Sequence, residues 1–146
     1  VKAITLRGDD SVVSMARERK GASLLTVTEN GYGRRTALDE YRMQSRGGLG
    51  LTNYKVDAEH GDVCGIKVVD ESDDLMFISS DGVIIRTGVE EIRECGRGSQ
   101  GVIVMRTGAD VKVISIARTD KEEEDETAEE STGESAETTE ETTDGE

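Results

Sequence analysis

The chain has 146 residues, of which 34 % are hydrophobic, 34 % charged and 3 % aromatic, and its formal net charge is −14. That length suits one domain at most, and the small apolar share limits the core it can bury. No apolar run approaches the length needed to cross a membrane, and the first residues carry no signal-peptide pattern.

The charge is unevenly placed. Residues 120–146 hold fourteen acidic side chains against Lys121 alone, whereas residues 1–119 hold 18 acidic and 17 basic ones. The net charge therefore belongs to the C-terminal stretch, and residues 1–119 are close to neutral. Residues 120–146 lack aromatics, Leu, Ile, Val and Met. Such a segment cannot bury enough apolar area to offset its conformational entropy, and it is expected to be disordered. Two roles are open to it: a solvating tail, or a polyanion that competes with DNA for a basic surface or docks on a basic partner. Cys64 and Cys95 have no CxxC spacing and no nearby His pair. This argues against a metal site and favours reduced thiols in a cytoplasmic chain. A start at Val1 rather than Met hints at a fragment.

Taken in order, the elements are short and of period 2. Residues 12–15 and 24–28 are β-rich runs. The second is followed by Glu29-Asn30-Gly31 and a further run at 32–36, and Asn-Gly between such runs predicts a type I′ hairpin turn. Residues 37–41 suit one helical turn, and 51–56 a further strand. The pattern then recurs: Asp81-Gly82 serves as the second hairpin turn, and residues 102–106 as the strand equivalent to 51–56. No long amphipathic helix is present.

This recurrence is a repeat of 51 residues. Val12 meets Val63, Leu24 meets Leu75, Gly31 meets Gly82, Arg35 meets Arg86, Thr36 meets Thr87, Glu40 meets Glu91, Arg42 meets Arg93, Arg46 meets Arg97 and Gly50 meets Gly101. The match needs no gap. At an offset of 101, Val1 meets Val102, Val12 meets Val113 and Ser14 meets Ser115. Two full repeats flanked by half units, cut from a longer array, are the expectation. Four short strands in each repeat fit an all-β, propeller-like array of four-stranded blades, each covering its neighbour's apolar face. The positions expected inside are Val13, Met15, Leu25, Val27, Cys64, Ile66, Phe77, Ile85 and Val104.

Little in the sequence supports catalysis. His60 is the only histidine and lies in an Ala-Glu-His-Gly-Asp turn, where a solvated role is expected. No Ser or Cys has a base at a recognised spacing. The cluster Asp70-Glu71-Ser72-Asp73-Asp74 lacks the glycine and terminal glutamate of a calcium loop, so a solvated hairpin is expected in preference to a metal site.

The arginine-and-glycine loops are the stronger candidate. Arg34, Arg35, Arg42 and Arg46 recur in the second repeat as Arg86, Arg93 and Arg97, and would form a stripe from blade to blade. Guanidinium forks match phosphate geometry, and Gly47 and Gly48 beside Arg46 allow close backbone approach with N–H donors in a nest. No recognition helix is available to read bases and aromatics are few. The stripe thus suits salt-sensitive, sequence-tolerant contact with a duplex backbone. A competing reading pairs Arg35 with Glu40 and Arg86 with Glu91 as structural ion pairs.

Three stretches carry a family resemblance: Glu29-Asn30-Gly31-Tyr32-Gly33-Arg34-Arg35-Thr36, Tyr41-Arg42-Met43-Gln44-Ser45-Arg46-Gly47-Gly48-Leu49-Gly50, and Gly96-Arg97-Gly98-Ser99-Gln100-Gly101-Val102. Over residues 1–119 the chain resembles the C-terminal domain of the bacterial DNA gyrase A protein. The resemblance implies a partial β-pinwheel that wraps duplex DNA on a basic rim. Through regions outside this stretch it would work with the gyrase B protein and with a second copy of the A protein. It implies ATP and magnesium chemistry elsewhere in the assembled enzyme, with no cofactor here and no catalytic role for Tyr32, Tyr41 or Tyr54. The family's heptapeptide Gln-Arg-Arg-Gly-Gly-Lys-Gly stands at 44–50 with Ser45 and Leu49 replacing two basic residues. The related topoisomerase IV, and a propeller-like protein-interaction module without DNA binding, remain as alternatives.

Overall fold

The computed structural model describes residues 1–121, so nearly all of the acidic stretch, expected to be disordered, lies outside the described residues. Seven strands are present: β1 Ser23–Thr28, β2 Tyr32–Ala37, β3 Val63–Val69, β4 Asp73–Ser79, β5 Ile84–Gly88, β6 Val102–Ile103 and β7 Val113–Asp120. Single 3-10 turns, Leu38–Glu40 and Val89–Glu91, follow β2 and β5. The first matches the helical turn expected there. Asp120, placed in the acidic tail on composition, is the last residue of β7 and pairs with Asp73.

Both hairpins use one device, and it is not the type I′ turn. Only glycine takes positive φ in these loops: Gly31 and Gly82 both stand at +86°, and neither Asn30 nor Asp81 has positive φ. The Gly31 N–H donates to Thr28 O at 3.1 Å, and the Gly82 N–H to Ser79 O at 3.1 Å. The hydroxyls of Thr28 and Ser79 accept the amides of Tyr32 and Val83 at 3.3 and 3.1 Å. In each, three residues separate the hydroxyl-bearing residue (Thr28, Ser79) from the one whose amide it accepts (Tyr32, Val83), the alternative hairpin with a glycine bulge, in which a hydroxyl takes the amide the ladder leaves free.

The strands form two antiparallel sheets, ordered β3-β1-β2-β6 and β5-β4-β7. Each sheet borrows strands from later in the chain. The β1–β2 hairpin of the first repeat takes β3 from the start of the second and β6 from its end. In the second sheet β7 flanks β4 as β3 flanks β1. Even the bulges coincide, at Val27/Thr28 and Ile78/Ser79.

This exchange corrects three expectations. Residues 12–15 form no strand, and Val13 and Met15 are exposed, Met15 at 92 %. Their equivalents in β3 lie on the hairpin of the preceding repeat, and the described residues hold no hairpin before β1. Residues 51–56 form no strand for the same reason, since their equivalent, β6, pairs with β2. Within 102–106 only Val102–Ile103 is a strand.

The core lies between the sheets. Leu25 and Val27 of β1 join Leu75 and Phe77 of β4 in one cluster, all at 0 % exposure, with Cys64, Ile85 and Val104 packed against it. Each such side chain contributes roughly 1.5–3 kcal/mol of apolar burial. Ile66, expected inside, is half-buried. Because alternate residues face opposite sides of a strand, Thr26 and Arg34, paired in register, present the other face of the first sheet.

Candidate nucleic-acid interface

Arg34 is not a surface residue. It is 1 % exposed, and its guanidinium is fully engaged. Nε–H donates to Thr36 Oγ1 at 2.8 Å. The Nη1 group donates to the carbonyls of Arg97 and Ser99, the second at 3.1 Å. The Nη2 group donates to the Tyr41 hydroxyl at 3.3 Å, and to the Asn53 carbonyl and Oδ1, the latter at 2.7 Å. The Tyr54 ring lies 5.3 Å from the guanidinium carbon, a cation–π contact. No N–H remains for an external phosphate, so the expected phosphate contact does not hold for Arg34.

Arg35 is also buried, at 5 %, and Nη2 bonds Glu71 Oε1 at 3.3 Å. Arg86, at the equivalent position, bonds Asp74 Oδ2 through Nε at 2.8 Å and the Asp120 carbonyl at 3.0 Å. Arg35 is structural, though not through Glu40, whereas Arg86 is exposed and keeps its place among the surface candidates. Glu40 Oε2 instead accepts the Arg97 N–H at 2.8 Å, and Glu91 Oε1 accepts that of Gly88 at 3.4 Å. These carboxylates, on the 3-10 turns that follow the arginines' own strands, cap backbone amides.

The remaining candidates lie at or near the surface. Arg42 and Arg93 are exposed, each two residues beyond a 3-10 turn. Arg46 is exposed in the first glycine loop, and Arg97 is half-buried in the second. The loops end alike, with Gly50 at φ +85° and Gly101 at +81°. They are anchored differently. The first is tied to the N-terminal segment: Gly47 N–H donates to Ala3 O, and Thr5 N–H to Gly48 O, both at 2.8 Å. The Gly47 amide is therefore unavailable for the expected nest. The second loop sits on β2, where a Cβ on Gly101 would meet Gly33 O at 2.1 Å. Only glycine fits that approach.

Beside the second loop, Arg97, Lys55, Gly98 and Thr52 line a groove of about 460 Å³. Lys55 is exposed, and Arg97 Nη1 bonds only the Thr52 carbonyl, at 3.2 Å. Lys55 and Asn53 were not singled out in the sequence. The repeat held a signal for Asn53, because Thr26, Arg34, Tyr41 and Asn53 stand where the second copy has Phe77, Ile85, Ile92 and Val104. A polar set replacing an apolar one at four matched positions marks a network.

Two further expectations are corrected. His60 is 4 % exposed, not solvated: Nδ1 lies 2.7 Å from Asp57 Oδ1, and the ring centroid is 4.2 Å from that of Tyr32. The His60 amide and ring bonds hold the Asp57 carboxyl below its ordinary range. In the acidic cluster, Asp73 and Asp74 are buried. Arg19 bonds Asp73 Oδ2 at 3.0 Å and Arg118 bonds Oδ1 at 3.3 Å. Among the described residues no group of His, Cys, Asp or Glu could hold a metal ion, and no helix is long and apolar enough to cross a membrane. The two cysteines are free, and burial pushes the Cys64 thiol up to about 11.

Comparison with known proteins identifies the family to which this fold belongs. The profile of the DNA gyrase C-terminal domain family, described as a β-propeller, matches residues 1–17, 22–70 and 73–120. Over 126 residues the chain is 44 % identical to the DNA gyrase A protein of Salmonella typhimurium, covering 86 % of this chain and 14 % of that protein's length. A solved DNA gyrase A C-terminal domain superposes with a TM-score of 0.63 at 30 % identity, over 66 % of this chain and 33 % of that one. A topoisomerase IV C-terminal domain gives 0.74 at 24 % identity, over 82 % and 38 %, a likeness of fold.

Proposed function

This chain belongs to the DNA gyrase C-terminal domain family, and from that premise we propose that it binds and wraps duplex DNA as part of the gyrase A protein of a type II topoisomerase. One observation carries the reading: Arg46 and Arg97 occupy the same place in two copies of one glycine loop, a repeat apart. A duplex laid across successive blades meets a guanidinium from each. Arg42 and Arg93 repeat in the same way, and both are exposed. Arg34 and Arg35 drop out of the contact set because they are buried.

The chemistry is phosphate neutralisation. Each contact releases condensed counterions, and none of these side chains comes from an element shaped to enter a groove. Wrapping follows from having one such contact per blade. In the assembled enzyme the wrap presents a DNA crossing to the cleavage centre. Other regions of the enzyme engage ATP, magnesium, the gyrase B protein and a second copy of the A protein. Among the superposed structures the identity is 30 % to the gyrase A domain and 24 % to the topoisomerase IV domain, which supports gyrase over topoisomerase IV. Two free thiols suit a reducing cytoplasm.

The test is duplex affinity against salt, on several unrelated sequences. Wild type should lose affinity steeply from ~50 to ~200 mM salt. Replacing Arg46 and Arg97 together with Ala should lower the log–log slope by about 2, uniformly across sequences. A flat salt response, or an absence of binding at low salt, would favour a protein-interaction module instead.

A further inference from the structure

We propose that the buried Arg34 is the positioning residue for Arg97, presenting the Arg97 guanidinium and Lys55 to one phosphate of a bound duplex. The inference rests on the reading above and names a device within it.

Arg34 belongs to the first repeat, yet it holds a loop of the second. Its Nη1 group bonds the carbonyls of Arg97 and Ser99, which flank Gly98. On the other side, the Arg97 N–H is held by Glu40 Oε2 at 2.8 Å. The backbone of Arg97 is therefore fixed through both its polar groups, while the side chain has one contact, to the Thr52 carbonyl at 3.2 Å. The Nη2 group of Arg34 holds Asn53, between Thr52 and Tyr54, two residues before Lys55. A single guanidinium thus fixes both walls of the groove in which Arg97 and Lys55 stand. Its planar fork supplies two pairs of donors in fixed relation; an ammonium could not span both walls.

The chain contains its own contrast. Ile85 replaces Arg34 in the second repeat, and the first glycine loop, which carries Arg46, is held only through residues 3–5. The backbone of Arg97 is fixed at both its polar groups before binding, and Arg46 is not held in this way. A side chain on a fixed backbone has less freedom to lose on engaging a phosphate.

The test is a double-mutant cycle on the full chain, read by duplex affinity against salt and by a thermal melt. Arg34→Lys keeps the charge but not the fork. It should lower the salt slope by about 1, as Arg97→Ala does, and should add less than twofold to the affinity loss in the Arg97→Ala background. Should Arg34→Lys unfold the chain, the second repeat's own residues provide another variant: Thr26→Phe, Arg34→Ile, Tyr41→Ile and Asn53→Val together. That variant should melt cooperatively and show the same lowered slope. Full additivity of Arg34→Lys with Arg97→Ala, or an unchanged slope in a folded Arg34 variant, overturns the positioning role. If Arg97→Ala itself leaves the slope of a DNA-binding wild type unchanged, positioning falls while the DNA-binding reading stands. Absence of duplex binding by wild type would end both.

Discussion

The two repeats solve the same packing position in opposite ways. Phe77, Ile85, Ile92 and Val104 sit in or against the core between the sheets. At the matched positions of the first repeat, Thr26, Arg34, Tyr41 and Asn53 form a buried polar network on the far face of the first sheet. The apolar set requires only volume and exclusion of water. The polar set requires every donor to meet an acceptor in one geometry, because an unpaired group there costs about 1–3 kcal/mol. The difference shows how one backbone serves two ends: the apolar copy joins blades, and the polar copy fixes the orientation of a loop.

Substitutions at matched positions test that contrast. The largest expected effect is Phe77→Ala, which removes a wholly buried ring from the inter-sheet core and should cost about 3–5 kcal/mol in urea unfolding. Its counterpart Thr26→Ala loses the bond from Asn53 Nδ2, 2.9 Å long, and should cost about 1–2 kcal/mol. Equal costs would break the contrast. Next come the two hairpin glycines, which share φ +86° but not their surroundings. A Cβ on Gly31 would meet Met105 O at 1.9 Å, whereas one on Gly82 meets nothing within 4 Å. Gly31→Ala should cost on the order of 3 kcal/mol and Gly82→Ala about 1 kcal/mol. Similar losses would show that backbone strain alone governs both turns.

The smallest effect is a pH dependence confined to the first repeat, because Gly108 stands where Asp57 does and Val111 where His60 does. The folded Asp57 carboxyl lies below its ordinary value, chiefly because the His60 N–H bonds its carboxylate. Its contribution is thus present above the unfolded pKa, about 3.9, and is lost as pH falls through the lower folded value. Exchange protection of the His60 amide, corrected for intrinsic rates, should fall in that window and should be flat in Asp57→Asn. A fall of equal size in the variant would remove Asp57 from the account.

What the sequence disclosed depended on whether a feature repeats. The 51-residue period placed both hairpins with their turn glycines, Gly31 and Gly82, because each is a local solution that the chain states twice, and the sequence of 37–41 marked the first 3-10 turn. It did not disclose the exchange of strands. Pairing of β3 with β1 and of β6 with β2 is a choice between neighbours in space, and period 2 is silent about which hairpin a run will join. Hence residues 12–15 and 51–56 looked like strands. Arg34 was misplaced for a related reason. Beside Arg35 and Gly33 it resembled a basic loop, but strand alternation turns it inward onto Asn53 and Tyr41. The departure from Ile85 was the legible clue, since a charge at an otherwise apolar register position demands a buried set of acceptors.

Strand exchange also imposes an order on synthesis. The β1–β2 hairpin is complete once Ala37 has been made, but its flanks stay bare until Val69 and then Ile103 have followed. At ~5–20 residues per second, the last of these arrives on the order of several seconds later. Until Val69 the nascent hairpin shows two unpaired edges to its surroundings, and from then until Ile103 the β2 edge stays bare, the state in which strands most readily find wrong partners. The 3-10 turns and glycine loops between the strands set how far the growing chain must travel before it returns to close the sheet it left open.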